Sequence, residues 1–430
     1  MSVAWYGKLP ERWKTQKISE LFIERHEKVS DTDFAPLSVS KGGIVPQIAT
    51  VAKSNAGDNR KLVRNGDFAI NSRSDRRGSS GVSEYDGSVS LINIVLTPRS
   101  ETNRRYWHYL LKSHNFIEEY YRNGRGIVAD LWTTRYTEMK TIYLPLPPSD
   151  EQDQIVRFLD WKVSQINRLI NAKRRQIVLL MEISSGRVNE IFCTISDKTM
   201  RLSRCATKIG SGKTPRGGAT VYVDSGILFI RSQNIYPAGV ITDGSFYITN
   251  EIDENMKSTR VYPNDVLLNI TGGSIGRCCV FTLDCRANVN QHVSIIRTRP
   301  DVLLPDFLAY YLNAPLGQEK ITRCQNEGNR QSLTFVQIGA FDIPCPPIDK
   351  QKEKLEAIRA ITKPVDEIVK HINNQITLLS EYRTQLISDV VTGKLDVRGV
   401  VVPEYVSVVE DSASDGVDSD VEDGDREEIQ

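Results

Sequence analysis

Two stretches of the chain repeat apolar side chains every three or four residues. In the first, Leu159, Val163, Ile166, Ile170, Ile177, Leu180 and Ile191 form the stripe, interrupted by Lys173, Ser184 and Arg187. In the second, Ile358, Val365, Val369, Ile372, Ile376, Leu379, Leu386 and Val390 occupy the same phase. A spacing of 3.5 residues held over roughly 30 residues predicts two long helices that pack on one another. One such stripe alone is the ordinary signature of core packing, whereas two in matching register favour an intramolecular coiled coil. Asp150 and Asp349 are expected as N-caps. Pro364 inside the second pattern predicts a kink or a fresh helix start.

The residues before each stripe have another rhythm. Short β-like runs such as Gly226–Ile230, Asp265–Asn269 and Val293–Ile296 alternate with Gly, Asn and Asp turns, with helical patches at 104–121 and 305–320. Each stretch reads as an α+β globule. The expected order is a first globule at 1–148, a long helix at 149–192, a second globule at 193–347 and a second helix at 348–391. A connector at 392–403 and an acidic, disordered tail at 404–430 complete it.

This order is a duplication. Pro145-Leu-Pro-Pro-Ser-Asp150-Glu-Gln152 recurs as Pro344-Cys-Pro-Pro-Ile-Asp349-Lys-Gln351, an offset of 199. Gln176-Ile177 matches Gln375-Ile376, Leu179-Leu180 matches Leu378-Leu379, and Glu182 matches Glu381. Upstream, Asn65-Gly-Asp67 through Asn71 resembles Asn264-Asp265 through Asn269, and Tyr106–Leu111 resembles Phe307–Leu312. The period lies far above the ~20–50 residues of solenoid repeats.

Charge changes the picture. The formal charge is +1, from 55 basic and 54 acidic residues. Residues 404–430 hold eleven acids and one base, which leaves the body with 54 bases against 43 acids, a net +11. A basic body with an acidic appendage is compatible with a polyanion partner.

Several classes of chemistry are excluded or disfavoured. No apolar run approaches the ~18 residues of a membrane span, and the N-terminal residues lack the apolar core of a signal peptide. Seven cysteines with no CxxC pair read as reduced cytoplasmic thiols. The five histidines do not cluster, so no metal site is expected. Ile209-Gly-Ser-Gly-Lys213-Thr214-Pro215 imitates a phosphate-binding loop, but Thr207 stands where its first glycine belongs and Pro215 opposes the helix such a loop needs. No Asn/Asp-Pro-Pro-aromatic motif for methyl transfer and no carboxylate–lysine cluster for cleavage is present, so catalytic residues are expected to be absent.

Polar, basic loops remain as candidates for reading DNA. In the first copy they are Lys41 and the run Asn71, Arg73, Arg76 and Arg77. In the second they are Lys213; Arg231, Gln233 and Asn234; Thr271, Ser274 and Arg277; Asn290 and Gln291; and Asn329 with Arg330. Arginine bonds guanine O6 and N7, and asparagine or glutamine bonds adenine N6 and N7. Ser, Thr and Lys suit phosphates. A helix of ~30 residues is ~45 Å long, against ~34 Å for one DNA turn. Two globules at opposite ends of such helices would address two groove segments, and their divergence predicts unrelated half-sites.

In this order the chain resembles the specificity subunit of type I restriction–modification systems, over about residues 5–400. The resemblance is carried by Leu9-Pro10-Glu-Arg-Trp13, Pro36-Leu37-Ser38-Val39-Ser40, Gly210-Ser-Gly-Lys-Thr-Pro215 and the repeated Pro-x-Pro-Pro-x-x-x-Gln. Glu381-Tyr382-Arg383 and Val391-Thr-Gly-Lys-Leu-Asp396 close it. The first copy departs from the pattern in having no Gly-x-Thr-Pro after Ile18.

The resemblance implies a cytoplasmic, non-catalytic reader of double-stranded DNA. Its two target-recognition domains would be related by a pseudo-twofold axis and separated by antiparallel helices. It also implies two methyltransferase subunits that bring S-adenosylmethionine, and restriction/motor subunits that use ATP and Mg2+, with no cofactor held by this chain. The alternative is a coiled-coil scaffold that binds proteins and no specific DNA.

Overall fold

The computed structural model describes residues 4–47, 59–100, 103–126, 132–195, 199–324 and 332–410. The chain divides into two units, one comprising 1–173 and 373–411, the other 174–372 and 412–430. Both are α+β. Ser149–Cys193 and Ile348–Val391 are each one continuous helix, contributing a part to each unit.

The first unit is organised on a four-stranded antiparallel sheet in the order Phe22–Glu24, Asn93–Pro98, Phe68–Asn71, Ser80–Val82. Helices Arg104–Lys112 and His114–Arg122 pack Tyr106, Trp107, Leu110, Phe116 and Tyr120 against Phe22 and Phe68. The same core takes in Ile155, Leu159, Ile166 and Ile170 of one long helix and Leu386 and Val390 of the other, with Ile376 and Leu379 at its margin. These two helical segments run antiparallel: Lys173 Nζ donates to Gln375 Oε1 (2.6 Å), while Arg383 Nη1, further along, donates to Asn167 Oδ1 (2.6 Å).

The second unit repeats that sheet as Ala206–Ser211, Val293–Thr298, Val266–Asn269, Cys278–Val280, again antiparallel. Its helices are Pro305–Asn313 and Pro315–Cys324. Phe307, Leu308, Tyr311 and Leu312 share a core with Val188 and Phe192 of one long helix and Leu355 and Ile358 of the other. A second sheet, Phe246–Ile248, Ile227–Ile230, Ala287–Val289 and Arg260–Val261, contains a parallel pairing. The apolar stripe holds outside these cores as well. Ile372 is buried, and Ile177, Leu180, Val365 and Val369 are half-buried, whereas their neighbours Val178, Leu179 and Ile368 are exposed.

Helix entry explains the repeated proline motif. Pro148 and Pro347 stand just before the helices, and their carbonyls accept the amides of Gln152 (2.9 Å) and Gln351 (3.0 Å). Proline suits this place because its fixed φ is pre-organised for the turn and it lacks an amide to satisfy. The glutamine side chains then turn back: Gln152 Nε2 donates to Pro147 O (2.9 Å) and Gln351 Nε2 to Pro346 O (2.8 Å). Asp150 and Asp349 are therefore not caps. They lie inside the first turn, where a carboxylate is favoured by the positive end of the helix. Nor does Pro364 start a new helix. Its ring is exposed, and the single amide bond it removes leaves Ile348–Val391 assigned as one helix.

The boundary expected at residue 404 also moves. Residues 404–410 form no strand or helix, yet their backbone is fastened to the helix Ser149–Cys193 by a ladder of buried polar side chains. Ser164 Oγ donates to Val406 O (3.1 Å), Asn167 Nδ2 to Val408 O (3.0 Å) and Asn171 Nδ2 to Val409 O (3.0 Å). Val408 N donates back to Ser164 Oγ (2.8 Å), and Arg383 pairs with Glu410. A spacing of three and four residues puts the three polar side chains on one helix face. The acidic residues from 411 onward lie outside the described residues.

Candidate nucleic-acid interface

Each unit presents the same nine-residue turn. Asn71–Ser79 and Asn269–Arg277 both leave the sheet on an asparagine, pass through a short 3-10 turn (Ser74–Arg76, Gly272–Ser274) and return after a glycine. The ends close alike: Asn71 N donates to Ser79 O (2.9 Å) and Asn269 N to Arg277 O (2.9 Å). Gly78 (φ 82°) and Gly276 (φ 89°) are left-handed, a conformation that costs any residue with a Cβ. A second segment pins each turn from the side, with Thr134 N donating to Ser72 O (2.9 Å) and Leu333 N to Ile270 O (2.9 Å).

The side chains on this shared backbone differ. In the first unit Arg73, Arg76 and Arg77 are exposed. Arg77 leans over the Tyr121 ring at 5.5 Å and pairs with Glu118. Asn71 departs from the expectation of a base reader. It is buried, its Oδ1 accepts the Arg73 amide (3.0 Å) and its carbonyl accepts the Tyr121 hydroxyl (3.0 Å). Lys41 is exposed at the tip of the hairpin Leu37–Ser40/Gly43–Pro46.

In the second unit four loops converge. Asn269 Nδ2 donates to Ser232 O (2.8 Å), Asn290 N to Ile230 O (3.1 Å) and Ile270 N to His292 O (3.0 Å). Thr271 Oγ1 lies 2.6 Å from His292 Nδ1. The Gly-Ser-Gly-Lys loop joins them through Gly212 N to Val293 O (3.2 Å) and Lys213 N to Val289 O (3.1 Å), and Thr214 bonds Gln291. Gly212 is required here, since a Cβ would sit 1.7 Å from Val289 O. That glycine serves close backbone packing, and Lys213-Thr214 enters no α-helix that could hold a phosphate, the next helical turn being the short 3-10 segment Gly218–Val221.

Lys213, Gln233 and Gln291 are exposed on this patch, and Thr271 is half-exposed. Arg231 lies over the Phe246 ring at 3.9 Å and Arg277 over Tyr236 at 4.9 Å, with its Nε buried. Asn234, Ser274 and Asn290 were expected to face a groove, but they are buried and close turns. Asn234 Nδ2 donates to Ile241 O (3.0 Å), Ser274 Oγ accepts Asn269 Nδ2 (3.0 Å), and Asn290 Oδ1 accepts the His292 amide (3.2 Å). In Asn71, Asn234 and Asn290 the side-chain oxygen accepts a nearby backbone amide, which engages the acceptor that base reading would use. Asn329 and Arg330 lie outside the described residues.

Three further residues belong to the same surfaces. His292 follows directly on the Asn290-Gln291 run and was legible there as part of a polar loop. Tyr121 and Lys112 come from helices, and no loop pattern marks them. Burial lowers the Lys112 ammonium to about 8. Among the described residues no group of three or more His, Cys, Asp or Glu side chains is placed to hold a metal ion. No described helix is long and apolar enough to cross a membrane.

The model of the type I restriction modification DNA specificity domain matches residues 10–178 and again 206–378. The chain belongs to this family. Both copies seen in the fold are thus copies of the specificity domain, and the chain is a DNA specificity subunit of a non-catalytic family. It is 24% identical to the type I restriction enzyme EcoBI specificity subunit of Escherichia coli over 318 residues. That match covers 68% of this chain and 66% of the relative. To the putative type I restriction enzyme MjaX specificity subunit of Methanocaldococcus jannaschii the identity is 19%, over 91% of this chain and 96% of that one. A chain in a solved structure of a type I R-M system, described by its complex assembly and conformational transition, has the same fold. Its TM-score is 0.59 at 16% identity, with 90% of this chain and 100% of that chain covered.

Proposed function

We propose that this specificity subunit reads an asymmetric, bipartite site in double-stranded DNA, each unit contacting one half-site through its nine-residue turn and the loops beside it. The observation that carries this reading is one turn geometry built twice with unlike side chains. Arg73, Asp75, Arg76 and Arg77 in one unit stand at the positions of Thr271, Gly273, Ser274 and Ile275 in the other. A shared backbone with divergent side chains suits two half-sites of different sequence. Arginines suit guanine and phosphate, and short polar side chains suit close approach to the backbone.

In this reading two methyltransferase subunits, bringing S-adenosylmethionine, dock on the long helices. Restriction/motor subunits that consume ATP with Mg2+ join them, and all covalent chemistry resides in those partners. The exposed apolar side chains Val178, Leu179, Met181 and Ile183 on one helix support a docking role. Exchange of residues 201–347 for the same domain of a relative is the direct test, read by mapping methylated adenines. One half-site is expected to change and the other to persist; a change in both, or in neither, refutes the modular assignment.

A further inference from the structure

The strand that follows each nine-residue turn is held from behind by the last residue of a helix. In the first unit, Lys112 ends Arg104–Lys112 and its Nζ donates to Ser80 O (3.0 Å). In the second, Asn313 ends Pro305–Asn313. It grips Cys278 from both sides, Nδ2 donating to Cys278 O (2.9 Å) and Oδ1 accepting Cys278 N (3.3 Å). Ser80 and Cys278 are equivalent: each opens the return strand, opposite Ile70 and Leu268 respectively. The two units thus place a hydrogen-bonding side chain at one structural position and use different chemistry to do so.

Lys112 does more than its counterpart. Its Nζ also donates to Lys41 O (2.8 Å), at the tip of the neighbouring hairpin. One ammonium therefore joins the tip of the Lys41 hairpin to the strand that follows the Arg73–Arg77 turn. Close packing surrounds the junction: a Cβ added at Gly81 would stand 3.2 Å from Gly43 Cα. A methylene stem with three donors at its tip suits this place, because both partners are carbonyls and no carboxylate is among them. Displacing the ammonium would free the Lys41 tip from the return strand, and with it the spacing between Lys41 and the Arg73–Arg77 turn.

We infer that Lys112 and Asn313 are positioning residues for sequence recognition, each setting the reading turn of its own unit, with Lys112 also registering the Lys41 hairpin against it. The inference rests on the proposed assignment of these turns to DNA. The test uses the full chain co-expressed with its methyltransferase subunits and a library of randomised duplexes, with bound sequences counted. In Lys112→Met, discrimination at one half-site is expected to fall about tenfold, the worth of one good base contact, while the other half-site keeps its selectivity. Lys112→Arg, which retains a donor of similar reach, is expected to restore part of it. Asn313→Leu should relax the opposite half-site. The unaffected half-site reports in the same molecules that the chain is folded and assembled. Loss of both half-sites in Lys112→Met, or a motif identical to wild type, overturns the inference. If Arg73→Ala with Arg76→Ala also leaves the motif unchanged, the assignment of the turns to DNA falls with it; if that pair relaxes a half-site while Lys112→Met does not, only the positioning role fails.

Discussion

Replacing Gln351 with methionine tests the physical meaning of the repeated proline motif. Gln351 is fully buried and makes three side-chain hydrogen bonds: Nε2 to Val302 O (2.8 Å), Nε2 to Pro346 O (2.8 Å), and Oε1 from Leu304 N (2.9 Å). At ~1 kcal/mol net per bond the loss is about 3 kcal/mol. Leaving Pro346 O and Leu304 N without these partners beside a fully buried side chain adds to it. Val302 O keeps the weaker Cys345 Sγ donor (3.3 Å), and the methionine side chain recovers some apolar burial, so ~2–4 kcal/mol is expected. Gln152, the matching residue of the first unit, makes one such side-chain bond, to Pro147 O, and its replacement should cost ~1 kcal/mol.

The chain carries its own probe for the comparison. All five tryptophans, at 5, 13, 107, 132 and 161, lie in the first unit. In urea unfolding, Gln351→Met should move the far-UV circular dichroism transition ahead of the tryptophan fluorescence transition. Gln152→Met should instead shift the fluorescence transition modestly. Equal costs for the two substitutions, or less than ~1 kcal/mol for Gln351→Met, would refute the hydrogen-bond account of the motif.

Arg73→Ala and Arg76→Ala should each cost ~1–3 kcal/mol in specific binding where a base contact is lost, or lower the salt slope by about one where the contact is a phosphate; competition binding at several salt concentrations separates the cases. Arg277→Ala should lower thermal stability through loss of its packing on Tyr236, read by calorimetry. His108, half-buried and desolvated beside Lys112 and Arg105, is pushed down to about 3, so its ring stays unprotonated in the folded chain while the unfolded chain takes up a proton below 6.5. Stability should therefore fall as pH drops through 6.5, by about 2 kcal/mol at pH 5, and His108→Asn should remove that slope from the fluorescence-detected transition. Truncation after Pro403 should destabilise the first unit by ~1–3 kcal/mol through the lost strap bonds; an unchanged transition would show that the Ser164–Asn171 ladder contributes nothing.

The long helices, the duplication and the strand runs at 226–230, 265–269 and 293–296 were legible in sequence because they depend on local periodicity. A stripe at 3.5 residues has few geometric solutions, and a motif recurring at an offset of 199 needs no structure to be seen. The polar loops could also be placed between strands by turn chemistry alone. What turn chemistry could not say is which polar side chain in a loop faces outward. Asn71, Asn234, Ser274 and Asn290 are the residue types of a reading loop, yet each is buried and uses a side-chain atom to close its own turn. Lys112 and Asn313 reverse that case, since their partners lie 32 and 35 residues away and only the packing of helix on sheet brings them together. The strap at 404–410 follows the same logic: its composition predicted disorder, but Ser164, Asn167 and Asn171, about 240 residues earlier, supply its backbone with partners. Sequence by itself determined where helices and strands form, because that is decided within a few residues along the chain. Tertiary structure decided which polar side chains stay exposed, because burial and the packing of helix on sheet are set by residues far apart in the chain.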